Sequence, residues 1–344
     1  MNTSKFTFLL LFLLIISCNS IVKKENRPFP KSNYTIAFGS CNNQSKENIL
    51  WTEINKNNPQ VWIWGGDNIY SSPYEKRKMQ KDYQLQLSVK NYQLLKENTD
   101  VIGIWDDHDY GINDGGANFP EKEESKSMFL DFFDVPKDHP RRKQKGIYHS
   151  KIYQASEGSI KVILLDTRYF RSHLEKSPLK NQRYKKNIGN GATILGQQQW
   201  KWLESELNHS TADFNIIVSS IQFISREHGY EAWGNFPNEI NKLENVIVNS
   251  KAKGILILSG DRHISEFSKT TLKGLNYPLI DFTSSGLTHS YDGFTNETNQ
   301  FRVKEVVSDI SFGLLLFNFK TRQITMQMRG ANNILQQEYI QRYP

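Results

Sequence analysis

Short apolar runs alternate with stretches of helical spacing along most of this chain, and no other feature restricts its fold as much. Seven apolar runs predict strands: residues 34–38, 61–64, 101–105, 160–165, 214–219, 254–258 and 277–282. Four stretches predict helices: residues 45–56, 74–97, 196–208 and 237–250. A closing hairpin is predicted at residues 312–319 and 323–328. This alternation predicts an α/β core in which helices cover the sheets.

Chemically reactive side chains follow five of the predicted strands. The segments are Ser40-Cys41-Asn42, Gly66-Asp67-Asn68-Ile69-Tyr70, Asp106-Asp107-His108-Asp109, Asp166-Thr167-Arg168 and Gly260-Asp261-Arg262-His263. Ligands of α/β folds lie beyond the carboxyl ends of strands, so these segments are expected to converge. Clustered acids repel one another unless a cation neutralises them, so the pattern indicates a metal site. For the acidic segment after the third strand, a loop that caps a helix is the alternative interpretation.

In this order, the motifs resemble those of the alkaline phosphatase D (PhoD-like) family of calcineurin-like metallophosphoesterases. The resemblance rests on Ser40-Cys41-Asn42, Gly66-Asp67, Trp105-Asp106-Asp107-His108, Asp166-Thr167-Arg168, Gln199–Leu203, Ser219-Ser220 and Gly260-Asp261-Arg262-His263. It covers residues 34–290 and implies a metallophosphoesterase-like sandwich of two mixed β-sheets flanked by helices. Larger members of the family carry an N-terminal β-sandwich domain before the Ser-Cys motif. Here only a short tether precedes that motif, which leaves the choice of substrate open.

The resemblance also implies which residues bind metal. Its ligands would be Cys41, Tyr70 and His263 for a first metal, Asp107 and Asp261 for a second, and Asp67 as a bridge between them. The family uses ferric iron (Fe3+) at the first position and calcium (Ca2+) at the second. Oxygen ligands suit calcium, whereas thiolate, phenolate and imidazole suit a transition metal. The ligand types by themselves leave zinc or manganese open.

The reaction implied by the resemblance is hydrolysis of a phosphoric ester, as an alkaline phosphatase or a phosphodiesterase. A hydroxide held between the metals would attack phosphorus in line, and His108, next to Asp107, would protonate the leaving oxygen. Arg168 or Arg262 would neutralise charge on the phosphate. A salt bridge from Arg168 to Asp166 is the alternative. Two other functions stay open: a surface lipoprotein that binds a ligand without turnover, and hydrolysis of another ester such as a sulfate.

Other polar residues of the predicted site have alternative roles. Asp106 and Asp109 would either orient His108 through hydrogen bonds or bind calcium. The glycine-rich loop that follows offers Asn113 and Asp114 as further ligands.

Histidines outside the motifs are expected to be peripheral. A surface position is expected for His149, His173, His209 and His289. His228 follows a predicted strand end and is expected to line the cleft.

The first residues of the chain predict export. The apolar run 6–17 follows Lys5 and is too short to span a bilayer, as is typical of a signal peptide. Cys18 ends this run and resembles the cysteine of a bacterial lipobox. An ordinary signal peptide, or a disulfide between Cys18 and Cys41, is the alternative.

The predicted organisation therefore has three parts: residues 1–18 as a lipoprotein signal peptide, 19–33 as a flexible tether and 34–344 as a single phosphatase domain. The protein is expected to be lipid-anchored to a bacterial membrane and to face the periplasm or the cell surface. Its net charge of +7 favours anionic substrates such as phosphate esters. No nucleic-acid-binding motif accompanies this charge.

Overall fold

A computed structural model describes residues 33–71, 76–294 and 296–344 of the chain. The predicted signal peptide, Cys18 and the tether up to residue 32 lie outside these residues. The described helices are α1 (Leu50–Lys56), α2 (Lys76–Leu87), α3 (Lys90–Asn98), α4 (Asp107–Tyr110), α5 (Lys122–Phe132), α6 (Gly196–Asn208) and α7 (Pro237–Asn249).

The described strands are β1 (Tyr34–Gly39), β2 (Val61–Gly65), β3 (Asp100–Ile104), β4 (His149–Ala155), β5 (Gly158–Leu164), β6 (Glu175–Lys176), β7 (Tyr184–Lys185), β8 (Phe214–Val218), β9 (Ile255–Ser259), β10 (Ser265–Thr270), β11 (Leu279–Ser284), β12 (Arg302–Val307), β13 (Phe312–Asn318), β14 (Gln323–Arg329) and β15 (Leu335–Arg342). They form a six-stranded sheet, a seven-stranded sheet and the small ribbon β6–β7.

Both large sheets are mixed. The six-stranded sheet has the order β15-β14-β13-β1-β2-β3, in which β1, β2 and β3 are parallel and the others antiparallel. The seven-stranded sheet has the order β12-β10-β11-β9-β8-β5-β4. Its four central strands, β11, β9, β8 and β5, are parallel. The outer strands β10, β12 and β4 pair antiparallel to their neighbours.

The two sheets pack face to face over an apolar core, and helices cover their outer faces. Side chains alternate between the faces of each strand, so Phe38 of β1 points into the sandwich while Ala37 points outward. The ring of Phe38 meets that of Phe282, from the other sheet, at 4.8 Å between centroids. Trp51 of α1 and Leu203 of α6 belong to the two outer clusters. The predicted fold class is therefore confirmed.

The interior strands lie where the apolar runs predict them, whereas some boundaries and edge elements differ. The predicted helix 74–97 is two helices, because Ser88 interrupts it and donates its hydroxyl to the carbonyl of Leu85. The predicted helix 45–56 begins only at Leu50, whose N–H is capped by Asn48 Oδ1. Strands β4, β12 and β15 were not predicted, since edge strands carry exposed polar residues and a weak apolar signal. The polar strand β10 and the helix α5 were also missed.

The parallel strands of both sheets end on the same side of the sandwich. Ser40 follows β1 and forms a bridge with Ser285, which follows β11. The Ser40 hydroxyl also donates to the carbonyl of Ser284 at 3.0 Å. A Cβ added to Gly260, after β9, would lie 2.5 Å from Ser40 Oγ, so the turns of the two sheets touch here. This contact brings the reactive strand ends to one place.

Candidate metal centre

Cys41 lies in the turn after β1. Its backbone has φ 59°, in the left-handed region that residues other than glycine rarely adopt. The thiol is fully buried, and Sγ lies 3.0 Å from Ser285 Oγ and 3.5 Å from Asp67 Oδ2. Burial, and then the charge of Asp67, raises the pKa of the Cys41 thiol. The thiol therefore faces the carboxylate that the next strand supplies.

Asp67 follows a turn after β2 that requires glycine. Gly66 has φ 103°, and a Cβ there would lie 2.6 Å from the Cβ of Asp106. The turn directs the buried Asp67 carboxylate toward Tyr70, whose hydroxyl donates to Oδ2 at 3.0 Å. The same hydroxyl lies 3.0 Å from His263 Nε2. The phenol thus connects a carboxylate from the first sheet with an imidazole from the second.

The acidic turn after β3 caps helix α4 and also presents a carboxylate to the cleft. Asp109 Oδ1 accepts from the N–H of Asp106 at 2.7 Å and thereby caps α4. Its Oδ2 accepts from the N–H of Asn68 at 3.2 Å, which joins the turns after β2 and β3. Asp107, in contrast, lines the cleft, and its Oδ2 accepts from the N–H of Asp114 at 2.7 Å. The structure therefore separates a capping carboxylate from one that is available for a ligand.

His108 lies between these turns and the open cleft. Its N–H donates to Asp67 Oδ1 at 3.1 Å, and its ring stacks on Tyr70 with 4.1 Å between centroids. About a third of the side chain, 31%, is exposed. The backbone and the ring contact fix the imidazole while one side of it stays accessible.

The turn after β9 adds Asp261 and His263 to the site. Both have left-handed backbones, with φ 68° and 54°. The N–H of His263 donates to Ser285 Oγ at 2.8 Å, so the same serine contacts the imidazole segment and the Cys41 thiol. Both residues line the cleft.

Two groups of potential metal ligands result, and they share Asp67. In the first, ligand atoms of Cys41, Asp67 and His263 all lie within 4.8 Å of one another. In the second, the same holds for Asp67, Asp107 and His108. Asp261 belongs to neither group, although it faces the same cleft. The structure therefore brings together most of the predicted ligands, with a carboxylate common to both positions.

Electrostatics favour a cation at this place. Burial raises the pKa of the Asp67 carboxyl well above its usual value, and the charges of Asp107 and Asp106 raise it further. Burial is therefore the main reason that the ionised form is unfavourable, repulsion among the carboxylates adds to it, and a bound metal ion would offset both. The mixture of sulfur, nitrogen and oxygen atoms in the first group suits a transition metal. The carboxylate oxygens of the second group suit a harder ion, so the residues fit two metals.

The two groups lie at the base of a cleft of about 310 Å³. Its lining includes six acids, two arginines and two tyrosines: Asp67, Asp107, Asp114, Glu231, Asp261, Glu297, Arg183, Arg262, Tyr230 and Tyr291. Glu231, Arg183, Glu297 and the two tyrosines were not predicted, because they come from segments without a motif.

The predicted contact between Arg168 and phosphate is wrong for this geometry. Arg168 is fully buried and does not line the cleft. Its guanidinium donates to Asp106 Oδ1 and, at 2.6 Å, to Glu231 Oε2. The alternative salt bridge to Asp166 is also absent. The hydrogen bond that Arg168 donates to the Asp166 carboxylate comes from its backbone N–H and not from its guanidinium. Arg168 therefore pairs with two buried acids and is not free to bind substrate.

Two expectations about histidines are also wrong. His289 is not peripheral: its ring lies 4.5 Å from that of His263 and 5.0 Å from that of Tyr70, between centroids. Burial is the main reason that its pKa is lowered to about 4. His228 is buried and does not line the cleft. No pattern around His289 indicates its position, because contacts with distant segments place the loop after β11, such as the hydrogen bond from the N–H of Asn43 to Thr288 Oγ1.

Comparisons with known proteins agree with this geometry. Alkaline phosphatase D of Bacillus subtilis (strain 168) is 25% identical over an alignment of 215 residues, and this alignment covers 54% of this chain and 36% of that protein. The match therefore spans about a third of the curated relative. A solved structure described as "Structure of PhoD" has a TM-score of 0.69 and 17% identity, over 89% of this chain and 69% of that chain.

A second solved structure, "GAP50 the anchor in the inner membrane complex of Plasmodium", has a TM-score of 0.60 and 13% identity. It covers 90% of this chain and 89% of that chain. At these identities, the two solved structures show a shared fold. The family model described as PhoD-like phosphatase matches residues 36–330, which include all five reactive strand ends. This chain belongs to the PhoD-like phosphatase family.

Proposed function

We propose that this protein is a metal-dependent phosphoric ester hydrolase that acts on phosphomonoesters, phosphodiesters or both. One observation carries the proposal: two groups of metal ligands share Asp67 at the base of an open cleft. Paired metal ions are typical of enzymes that cleave phosphoric esters. Membership of the PhoD-like phosphatase family supports the same class of reaction.

We assign the first group and Tyr70 to ferric iron, and the carboxylates Asp67 and Asp107 of the second group to calcium, with zinc or manganese as alternatives. Asp261 faces the cleft close to the second group and offers it a further carboxylate. When bound, the ions supply positive charge beside the phosphate and lower the pKa of a coordinated water to about 7. The chain's own residues have to bind the ester, hold it and supply a proton.

His108 is the general acid in this proposal. Its ring is fixed by the stack on Tyr70 and is open on the side of the cleft. Asp107 Oδ1 lies 4.0 Å from His108 Nε2, so a carboxylate stands beside the imidazole. A protonated His108 at this position donates to the leaving oxygen of an ester bound beside Asp67.

Arg262 takes the phosphate-binding role that Arg168 cannot fill. It lines the cleft and is held by an ion pair with Glu297 at 2.7 Å. Its guanidinium lies over the ring of Tyr230, 4.3 Å from the centroid. The six acids of the cleft repel an anionic ester, so the attraction has to come from metal ions and from arginine.

The proposal is tested by metal content and hydrolysis. Purified protein should contain a transition metal and calcium, and it should hydrolyse nitrophenyl phosphate or its bis ester. In His108→Ala, kcat should fall by about 100-fold or more for an ethyl ester. The loss should be smaller for a nitrophenyl ester, because nitrophenolate leaves readily and its oxygen depends less on protonation.

The control is His209→Ala, which removes an exposed histidine at the end of α6 and should leave hydrolysis unchanged. Equal rates in His108→Ala and the wild type would remove His108 from the acid role. A metal-free protein that stays folded and fully active would contradict the proposed function.

We also propose that the protein is exported and anchored through a lipid on Cys18. The pattern of residues 1–18 supports this proposal. Within the described parts of the chain, no helix has the length and apolar character needed to cross a bilayer. Cys18→Ala should move the protein from the membrane fraction to the soluble fraction. Unchanged membrane association of this variant would contradict the anchor.

A further inference from the structure

Two exposed tyrosines line the cleft that contains the ligand groups. Tyr230 and Tyr291 are 43% and 47% exposed, although large aromatic side chains usually gain free energy by burial. Each tyrosine follows a glycine or a serine in an irregular loop and belongs to no helix or strand. The exposed parts of both rings are accessible to a ligand in the cleft, while the guanidinium of Arg262 lies over one face of Tyr230.

Both tyrosines are attached to the turn after β9, which also carries metal-ligand candidates. The guanidinium of Arg262 lies 4.3 Å from the ring centroid of Tyr230, and Glu297 fixes that guanidinium through an ion pair at 2.7 Å. The N–H of Tyr291 donates to the carbonyl of His263 at 2.7 Å. Because Arg262 and His263 are consecutive, these contacts hold both tyrosines beside the first ligand group.

The lining of the cleft combines two kinds of side chain. Asp107, Asp114 and Glu231 supply carboxylates, which disfavour an apolar group. Tyr230 and Tyr291 supply flat faces, on which planar rings stack with little dependence on ring identity. An ester held with its phosphate at the ligand groups can direct its leaving group toward these two rings.

We propose that Tyr230 and Tyr291 form a subsite for a planar aromatic leaving group, so that the preferred substrates are aryl, benzyl or nucleobase-bearing phosphoric esters. This inference rests on the proposed function and specifies its substrate class. Both tyrosines are specificity-determining residues, whereas the reaction itself depends on the ligand groups and His108.

The test compares two esters that differ only in the planarity of the ring, benzyl phosphate and cyclohexylmethyl phosphate. Tyr230→Ala and Tyr291→Ala should each lower kcat/KM for benzyl phosphate by about tenfold. The loss for cyclohexylmethyl phosphate should be clearly smaller. Tyr230→Phe and Tyr291→Phe should retain most of the wild-type preference, because the ring is kept.

Binding without turnover provides a second measurement. Calorimetry with benzylphosphonate and cyclohexylmethylphosphonate should show the benzyl compound binding more tightly to the wild type. Each alanine variant should weaken the binding of the benzyl compound by about tenfold. Ile152→Ala is the matched control, since Ile152 is an exposed apolar residue on the edge strand β4. This variant should leave the dissociation constants of both phosphonates unchanged.

Two outcomes overturn the subsite. The first is an equal effect of the alanine variants on the planar and the saturated ligand, and the second is no effect on either. A wild type that binds benzylphosphonate in preference but hydrolyses neither ester would support the subsite and contradict the proposed function. The two proposals can therefore fail separately.

Discussion

At the scale of single residues, a buried charge network supports the candidate metal centre. Arg168 pairs with Asp106 and Glu231, and Arg171 lies 2.9 Å from the second oxygen of Glu231. All four side chains are at most 2% exposed. Because Asp106 precedes the ligand candidate Asp107, the network fixes the turn after β3 from below.

Arg168→Met should destabilise the protein by about 3–5 kcal/mol, because it leaves Asp106 buried without its charge partner and Glu231 with Arg171 alone. Chemical denaturation measures the free energy of unfolding. The matched control is Arg183→Met, which removes an arginine that is 46% exposed and paired with Asp114 at 2.6 Å. That control should cost less than about 1 kcal/mol. Equal losses in the two variants would show that the buried network does not stabilise the fold.

At the scale of elements, the turns at the strand ends carry the strain of the site. Cys41, Asp67, Asp261 and His263 all have left-handed backbones. Such conformations cost about 1–3 kcal/mol each and persist only where the surrounding structure holds them. Here the sheets and the contacts among the turns hold them, and the strained turns place Asp67, Asp261 and His263 along the cleft and the buried Cys41 thiol next to Asp67.

Gly66→Ala tests the turn after β2. Gly66 has φ 103°, and its added Cβ would lie 2.6 Å from Asp106 Cβ, so this variant combines backbone strain with a clash. Gly191→Ala has only the strain, since Gly191 has φ 83° and nothing within 4 Å of an added Cβ. We expect a loss of about 1 kcal/mol for Gly191→Ala and several times more for Gly66→Ala, measured by thermal denaturation. Similar losses would show that the close approach to Asp106 is unimportant.

His149, on the edge strand β4, is expected to make the stability of the fold depend on pH. Burial lowers the pKa of His149 to about 4, and the positive charges of Arg141 and His139 act in the same direction. The folded state therefore disfavours the charged imidazole. The contribution of His149 is fully present above its unfolded pKa of about 6.5 and is lost as the pH falls toward 4.

His149→Gln should remove this dependence. Between pH 7 and pH 4, the wild type should lose on the order of 1–3 kcal/mol more stability than the variant, measured by urea unfolding at each pH. His209→Gln, at an exposed position, is the control. Parallel stability curves for the wild type and His149→Gln would contradict the assignment.

At the scale of the whole molecule, the first ligand group spans the two sheets. The first ligand group takes Cys41 and Asp67 from the six-stranded sheet and His263 from the seven-stranded sheet. A ligand that binds only the folded state stabilises it by mass action, about 2.7 kcal/mol at 100 times its dissociation constant. Metal bound here should therefore stabilise the contact between the sheets as well as the site.

Removal of metal with a chelator should lower the melting temperature of the wild type by several degrees. Asp67→Asn should abolish this difference, because Asp67 belongs to both ligand groups. Without metal, the variant should be at least as stable as the wild type, since one of the mutually repelling carboxylates is gone. An unchanged melting temperature of the wild type in chelator would contradict metal binding at this place.

The fold could be predicted to the extent that its signals are local. The central strands β2, β8 and β9 are mostly apolar, with Asn215 and Ser259 as polar exceptions, because parallel strands in the interior are buried on both faces. The edge strands β12 and β15 have no such run, and only pairing with a neighbour defines them. The division between α2 and α3 was missed because helical spacing continues across Ser88.

The sequence alone determined the α/β class and the positions of Cys41, Asp67 and Asp107 at strand ends, because apolar periodicity and short motifs are local properties of the chain. Tertiary structure decided the rest of the site. Arg168 and Asp106 are 62 residues apart, and no local pattern predicts that the two would pair. Likewise His289, Tyr230 and Tyr291 come from loops without motifs. Tyr230 and Tyr291 line the cleft, and His289 lies against His263, only because two sheets pack face to face and end on the same side.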